Sequence, residues 1–167
     1  MLNLLNRIER LLDYKEFKTL PFFSESEFSS HQLLEKLLVF TGPAHVCISS
    51  FSISEIALRS LHNLCETGQI TSLRCLFDLT VKRHRMGLLF FASNFVSGIG
   101  LAKNHAKIIL IHNNNYQIVV VGSANLNLND KNEAGIISTD ADLYSFFRIK
   151  FEECYGKSLK VSPDEFN

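Results

Sequence analysis

The chain has 167 residues, 46% of them hydrophobic and 20% charged, which suits one folded domain and excludes a disordered or collagen-like polypeptide. Seventeen Lys and Arg offset seventeen Asp and Glu, so the formal net charge is zero. That balance excludes a generic polyanion binder with a broad cationic excess, and any anion site must be local.

The opening "MLNLLNRIERLLDY" sets Leu2, Leu5, Ile8, Leu11 and Leu12 on one face at helical spacing and predicts an amphipathic helix. Arg7, Glu9 and Arg10 interrupt its apolar run, so it does not read as a signal peptide, and a cytoplasmic setting is expected. Pro21 breaks the pattern, and Ser24 or Ser26 could cap a second helix through "HQLLEKLLVFT" before Gly42 and Pro43 stop it. Residues 1–42 are therefore expected to be a helical extension packed on a core domain spanning 43–167.

From there "AHVCISSF", "SEIALRSLHNLCETG" and "TSLRCLFDL" alternate as strand, helix and strand, with Gly68 at the helix end. Links this short favour a parallel pair joined by a right-handed crossover. A helix is expected within 80–97. The charge-free stretch 86–102 is short for a membrane span and carries Ser93, Asn94 and Ser97, so a buried helix and a turn are expected, with no integral membrane segment. "GLAKNHAKIILIH" and "YQIVVVGSA" read as strands turned by Asn113 to Asn115 into an antiparallel hairpin. "NEAGIIS" is a further strand, "DADLYSFFRIKFEECYG" the last helix and "VSPDEFN" a loose tail. The expected fold is α/β, a mixed β-sheet flanked by helices. Cys47, Cys65, Cys75 and Cys154 lack metal-ligand spacing; the last three lie in or beside core elements, and buried reduced thiols are expected.

Strand periodicity places His105 and Lys107 on one face, two residues apart. Alone, this pair occurs by chance in many proteins and reads as a solvated edge. Eighteen residues after His105 the next strand ends in "GSAN", which offers Ser123 and Asn125, again two apart, and Glu133 follows in "KNEAG". The strongest basic cluster, "VKRHRMG", supplies Lys82, Arg83 and Arg85, with Lys103 further on; by itself it reads as a solvated helix start. Beside a phosphodiester site it would steer phosphate.

In their order, "HAK", "GSAN" and the downstream "NE" resemble the signature of the phospholipase D superfamily: H-x-K-x(4)-D (the HKD motif), then G-S-x-N, then an acidic residue. The resemblance covers roughly 44 to 157, leaving the leading helices outside it. It departs at His112, which stands where the family has Asp. Residues 105 and 112 differ by an odd number, so on an unbroken strand their side chains face opposite sides, and His112 is not expected to touch the reacting phosphate.

The resemblance implies a phospholipase D-like fold and a metal-independent phosphodiesterase, nuclease-like, working through a covalent phosphohistidine without a cofactor. A phosphodiester repels nucleophiles through its anionic oxygens, so the site needs fixed positive charge and aimed donors, which Lys107 and Asn125 can supply. His105 would attack phosphorus and a second, protonated histidine would donate to the leaving oxygen. Glu133 would orient and charge-balance a histidine, with Ser123 as a lesser partner. His31, His45, His62 and His84 are not followed two residues later by lysine, so the chain carries one half-site. Members with a single copy pair two identical chains, and a homodimer is expected here. The expected partner is nucleic acid or another phosphodiester. Two other readings stand beside it: a phospholipid head-group hydrolase or transferase, supported by the apolar 86–102 stretch, and a catalytically silent module that binds nucleic acid or protein, supported by His112 and the neutral charge.

Overall fold

The computed structural model describes residues 2–13, 18–127 and 131–162. In chain order the elements are α1 (Leu2–Asp13), β1 (Thr19–Glu25), α2 (Ser30–Thr41), β2 (Ala44–Ser50), α3 (Glu55–Glu66), β3 (Ile70–Asp78), α4 (Leu79–His84), α5 (Met86–Ser93), β4 (Gly98–Ala102), β5 (Ile108–His112), β6 (Gln117–Gly122), β7 (Asn132–Ser138), α6 (Ala141–Lys157) and β8 (Leu159–Val161). The strands form one sheet in the order β1-β7-β6-β5-β2-β3-β4-β8. It is mixed: β2, β3 and β4 run parallel, while β5, β6, β7 and β1 pair antiparallel.

The central strands β2 to β6 are buried on both faces, which explains their near-continuous apolar runs. One face carries the larger core, where Ile8, Leu34, Leu37, Leu58 and Leu61 of the helices meet Ile48, Ile109 and Val120. The other is covered by α6, whose Tyr144 and Phe151 pack on Cys47, Leu76, Leu110 and Val119. Glu152 of α6 receives both guanidinium arms of Arg74, at 2.9 and 2.5 Å, and Arg148 at 2.7 Å. That bidentate clasp fixes the helix across β3. Among the described residues no helix is long and apolar enough to cross a membrane.

Some expectations need correction. Residues 19–25 are a strand inside the segment expected to be helical; its alternating burial lets it pair with β7, and Pro21 is tolerated because β1 is an edge. The cap of α2 is Ser29 rather than Ser24 or Ser26, with its N–H donated to Gln32 Oε1 at 2.9 Å. The 86–102 stretch is α5, a turn at Asn94 and Phe95 and then β4, so the expected helix and turn are present and a strand follows them. Cys154 is exposed on α6 and Cys65 half-buried, whereas Cys47 and Cys75 are buried; all four are free thiols. The expected loose tail begins with Val161, which closes β8; residues 163–167 lie outside the described ones.

Candidate active site

"GLAKNHAKIILIH" is two strands, not one. β4 lies beside β3 and β5 beside β2, so the chain must cross the ends of β3 and β2 between them, which no continuous strand can do. Residues 103–107 make that crossing, and His105 and Lys107 sit on it just before β5 begins at Ile108. The same edge of the sheet holds the carboxyl ends of β2, β3 and β4, the end of β6 and the start of β7.

Asn104 holds the crossing down. Its Nδ2 donates to the carbonyls of Ser50 and Leu76 at 3.3 and 3.2 Å, while its Oδ1 accepts from the Ala106 N–H and the Ser49 hydroxyl, both at 3.2 Å. Its backbone N–H donates to Asp78 Oδ2 at 2.9 Å. The other oxygen of Asp78 caps α4 by accepting from the Thr80 N–H and hydroxyl at 2.9 and 2.6 Å. Burial alone would raise the Asp78 carboxyl, but these donors outweigh it and hold it below its ordinary value.

On this clasp the His105 side chain is exposed, its ring 4.9 Å from that of Phe51. The Lys107 ammonium lies 2.9 Å from His105 Nδ1, donates to the His105 carbonyl at 2.7 Å and sits 5.8 Å from the Phe51 ring centre. Burial pulls the Lys107 ammonium below the usual lysine range, and the Glu133 carboxylate partly offsets that shift. The Ser123 hydroxyl donates to Glu133 and accepts from the Ala134 N–H at 3.1 Å. Asn125 uses Oδ1 to accept from the Phe51 N–H at 3.3 Å, which turns its Nδ2 donors the other way. Lys107 and Glu133 also line a cavity of about 30 Å³ backed by Phe22, Phe28 and Ile109.

The structure thus brings His105, Lys107, Ser123, Asn125 and Glu133 to one mouth. Lys82 and Arg83 lie on α4 and Arg85 at its end, while Lys103 is exposed beside Asn104. Strand parity does not apply to His112, because His105 precedes β5; His112 is kept from the mouth by its place at the far end of β5 under α6, its ring 6.3 Å from His45 and 6.4 Å from Tyr144. The hydrogen bonding at that end belongs to its neighbour Asn113, which donates to the carbonyls of Thr41 and Pro43 and accepts from the N–H groups of Asn115 and Tyr116. Among the described residues no group of three His, Cys, Asp or Glu is placed to hold a metal ion.

Sequence reasoning missed Asn104, Asp78 and Phe51. Asp78 left a trace, an acid followed by Leu79 and Thr80 where a helix begins. Asn104 left none, because its role depends on two strand ends that only the fold brings together.

No family model matches the chain, and no curated protein matches it either. Solved structures do. NucT from Helicobacter pylori is similar over 87% of this chain and 100% of its own, with a TM-score of 0.68 at 17% identity. Nuc from Salmonella typhimurium, a phospholipase D family member, covers 86% of this chain and 97% of its own, with a TM-score of 0.63 at 15% identity. Phosphatidylserine synthase from Haemophilus influenzae covers 86% of this chain and 40% of its own, with a TM-score of 0.55 at 14% identity. With a mixed sheet between helices and these structures as its neighbours, the chain has the phospholipase D superfamily fold.

Proposed function

We propose that the protein is a nuclease-like phosphodiester hydrolase that needs no metal ion and works through a phosphohistidine, two copies of the chain sharing one site. The observation that carries this reading is the Lys107 ammonium 2.9 Å from the His105 imidazole on an exposed edge, with Ser123 and Glu133 engaged beside it. The likeness of fold to Nuc and NucT supports it.

A phosphodiester entering the mouth offers its anionic oxygens to Lys107 and to the Asn125 amide. Lys107 then leaves the imidazole nitrogen for the phosphate, which releases the ring's lone pair to attack phosphorus. As the P–N bond forms, the bond to the leaving oxygen breaks, and that oxygen takes a proton from the imidazolium of the partner's His105. The partner's His105, now neutral, takes a proton from water; the water oxygen attacks phosphorus, the P–N bond breaks, and both rings regain their starting states. Glu133 balances the charge of Lys107 and of the histidines, with Ser123 fixing its carboxylate. Lys82, Arg83, Arg85 and Lys103 steer a nucleic-acid backbone toward the mouth. The four free thiols suit a reducing cytoplasm.

The test is hydrolysis of DNA, RNA and a chromogenic phosphodiester in excess chelator, repeated with His105→Ala. Activity that survives chelation and vanishes with the substitution supports the proposal. Equal inertness of both proteins across all substrates, phospholipid vesicles included, overturns it in favour of a silent binding module.

A further inference from the structure

The segment before residue 43 does more than pack on the core, because it closes one side of the His105 mouth. β1 lays Ser24 opposite Glu133, and the Ser24 hydroxyl accepts from the Glu27 N–H at 3.1 Å as the chain turns toward α2. Ser29 caps α2, so Ser30, the first residue of the helix, has a hydroxyl that the cap does not use. That hydroxyl donates at 2.7 Å to the backbone carbonyl of Asn125, 95 residues further along the chain. Behind Ser30, Leu33, Leu34, Leu37 and Leu38 bury α2 in the core, so the donor stands on a fixed base. Ser30 also lines the cavity that reaches Lys107 and Glu133.

We infer that Ser30 is a positioning residue for the His105 site, holding the Asn125 peptide so that its side-chain amide meets a phosphate oxygen; this rests on the phosphodiester hydrolase reading. Asn125 is tied on its other side to the end of β2. Its Oδ1 accepts from the Phe51 N–H at 3.3 Å, and the next N–H, of Leu126, donates to the Ser50 hydroxyl at 2.9 Å. Ties to β2 alone leave the peptide free to pivot about that strand end, and the bond from α2 stops the pivot. A donor stabilises charge that develops in the transition state only while it is held in place, so slack at Asn125 slows the reaction more than it weakens binding. The fold itself asks little of the Ser30 hydroxyl, since α2 keeps its Ser29 cap without it and alanine suits a helix.

The experiment is steady-state hydrolysis of a chromogenic phosphodiester in excess chelator by the full chain and by Ser30→Ala, Ser30→Thr, Asn125→Ala and the double variant Ser30→Ala with Asn125→Ala, with a thermal melt of each. Ser30→Ala should lower kcat by about tenfold and change KM little, at a nearly unchanged midpoint. Ser30→Thr keeps the hydroxyl, and its methyl group has room in the cavity of about 30 Å³, so its rate should stay close to wild type. Because Ser30 acts through the Asn125 amide, the double variant should be no slower than Asn125→Ala alone. A wild-type kcat in Ser30→Ala, a Ser30→Thr as slow as Ser30→Ala, or losses that multiply in full in the double variant would overturn the role of Ser30 and leave the hydrolase reading standing. An inert wild type would overturn that reading and the role of Ser30 with it.

Discussion

Replacing Asn104 with Leu removes the side chain that ties the His105 crossing to β2 and β3 while keeping its volume and its backbone bond to Asp78. Four hydrogen bonds of 3.2 to 3.3 Å are lost. At about 0.5–1 kcal/mol net for each, and with the groups near solvent, the fold should lose about 2–3 kcal/mol. For a chain of this size that lowers the thermal midpoint by roughly 5–10 °C. The larger effect falls on chemistry: an ångström of freedom at the attacking nitrogen costs about a hundredfold in rate. Circular dichroism melts and steady-state hydrolysis of a chromogenic phosphodiester measure the two effects separately. A fall in kcat with KM nearly unchanged is expected, because Lys107 still meets the phosphate. If kcat stays within about twofold of wild type while the midpoint drops as expected, Asn104 is a structural tie only and the link from clasp to nucleophile is refuted.

Glu133→Gln removes the carboxylate that partly offsets the burial of Lys107, so the ammonium should lose its proton at lower pH. The alkaline limb of the pH–rate profile should then move down, and an unmoved or rising limb would contradict the placement. Glu152 is held below its usual range first by the Arg74 hydrogen bond, so its contribution to stability is present above the ordinary glutamate pKa and fades as pH falls through the depressed value. Glu152→Gln, which leaves Arg74 and Arg148 facing each other in a partly exposed setting, should cost about 1–2 kcal/mol at neutral pH and less in acid, read from urea melts at several pH values. A Cβ at Gly135 would lie 2.5 Å from the Val121 carbonyl and 3.0 Å from Gly122 Cα, so Gly135→Ala should destabilise by about 1–3 kcal/mol. A melt unchanged from wild type would show that β6 and β7 can part freely.

The sheet was legible where apolar runs are long and turns carry their own chemistry: β2, β3, β6 and β7 stand where their runs predict, and Asn113 to Asn115 turn β5 into β6. Legibility failed where local pattern and topology disagree. The 98–112 segment has strand-like composition throughout, yet β4 and β5 belong to different neighbours, so the polar residues 103 to 107 leave the sheet. The segment 19–25 hid because its meaning as an edge strand depends on β7, more than a hundred residues later. His105, Lys107, Ser123, Asn125 and Glu133 were read as short motifs; Ser123 and Glu133 stand near the strand ends expected of them, whereas His105 and Lys107 lie on a crossing that reads as strand in the sequence. Asn104 and Phe51 were invisible because they act on backbone groups and rings supplied by other strands.

The central claim is that two His105 side chains serve one phosphorus atom. Co-expression of differently tagged wild-type and His105→Ala chains, with activity measured against the wild-type fraction, tests it directly. If each site needs both imidazoles, activity follows the square of that fraction, so an equal mixture retains about a quarter of the wild-type rate per total protein. A linear fall to about a half would mean that each chain works alone, and the shared-site mechanism would be wrong.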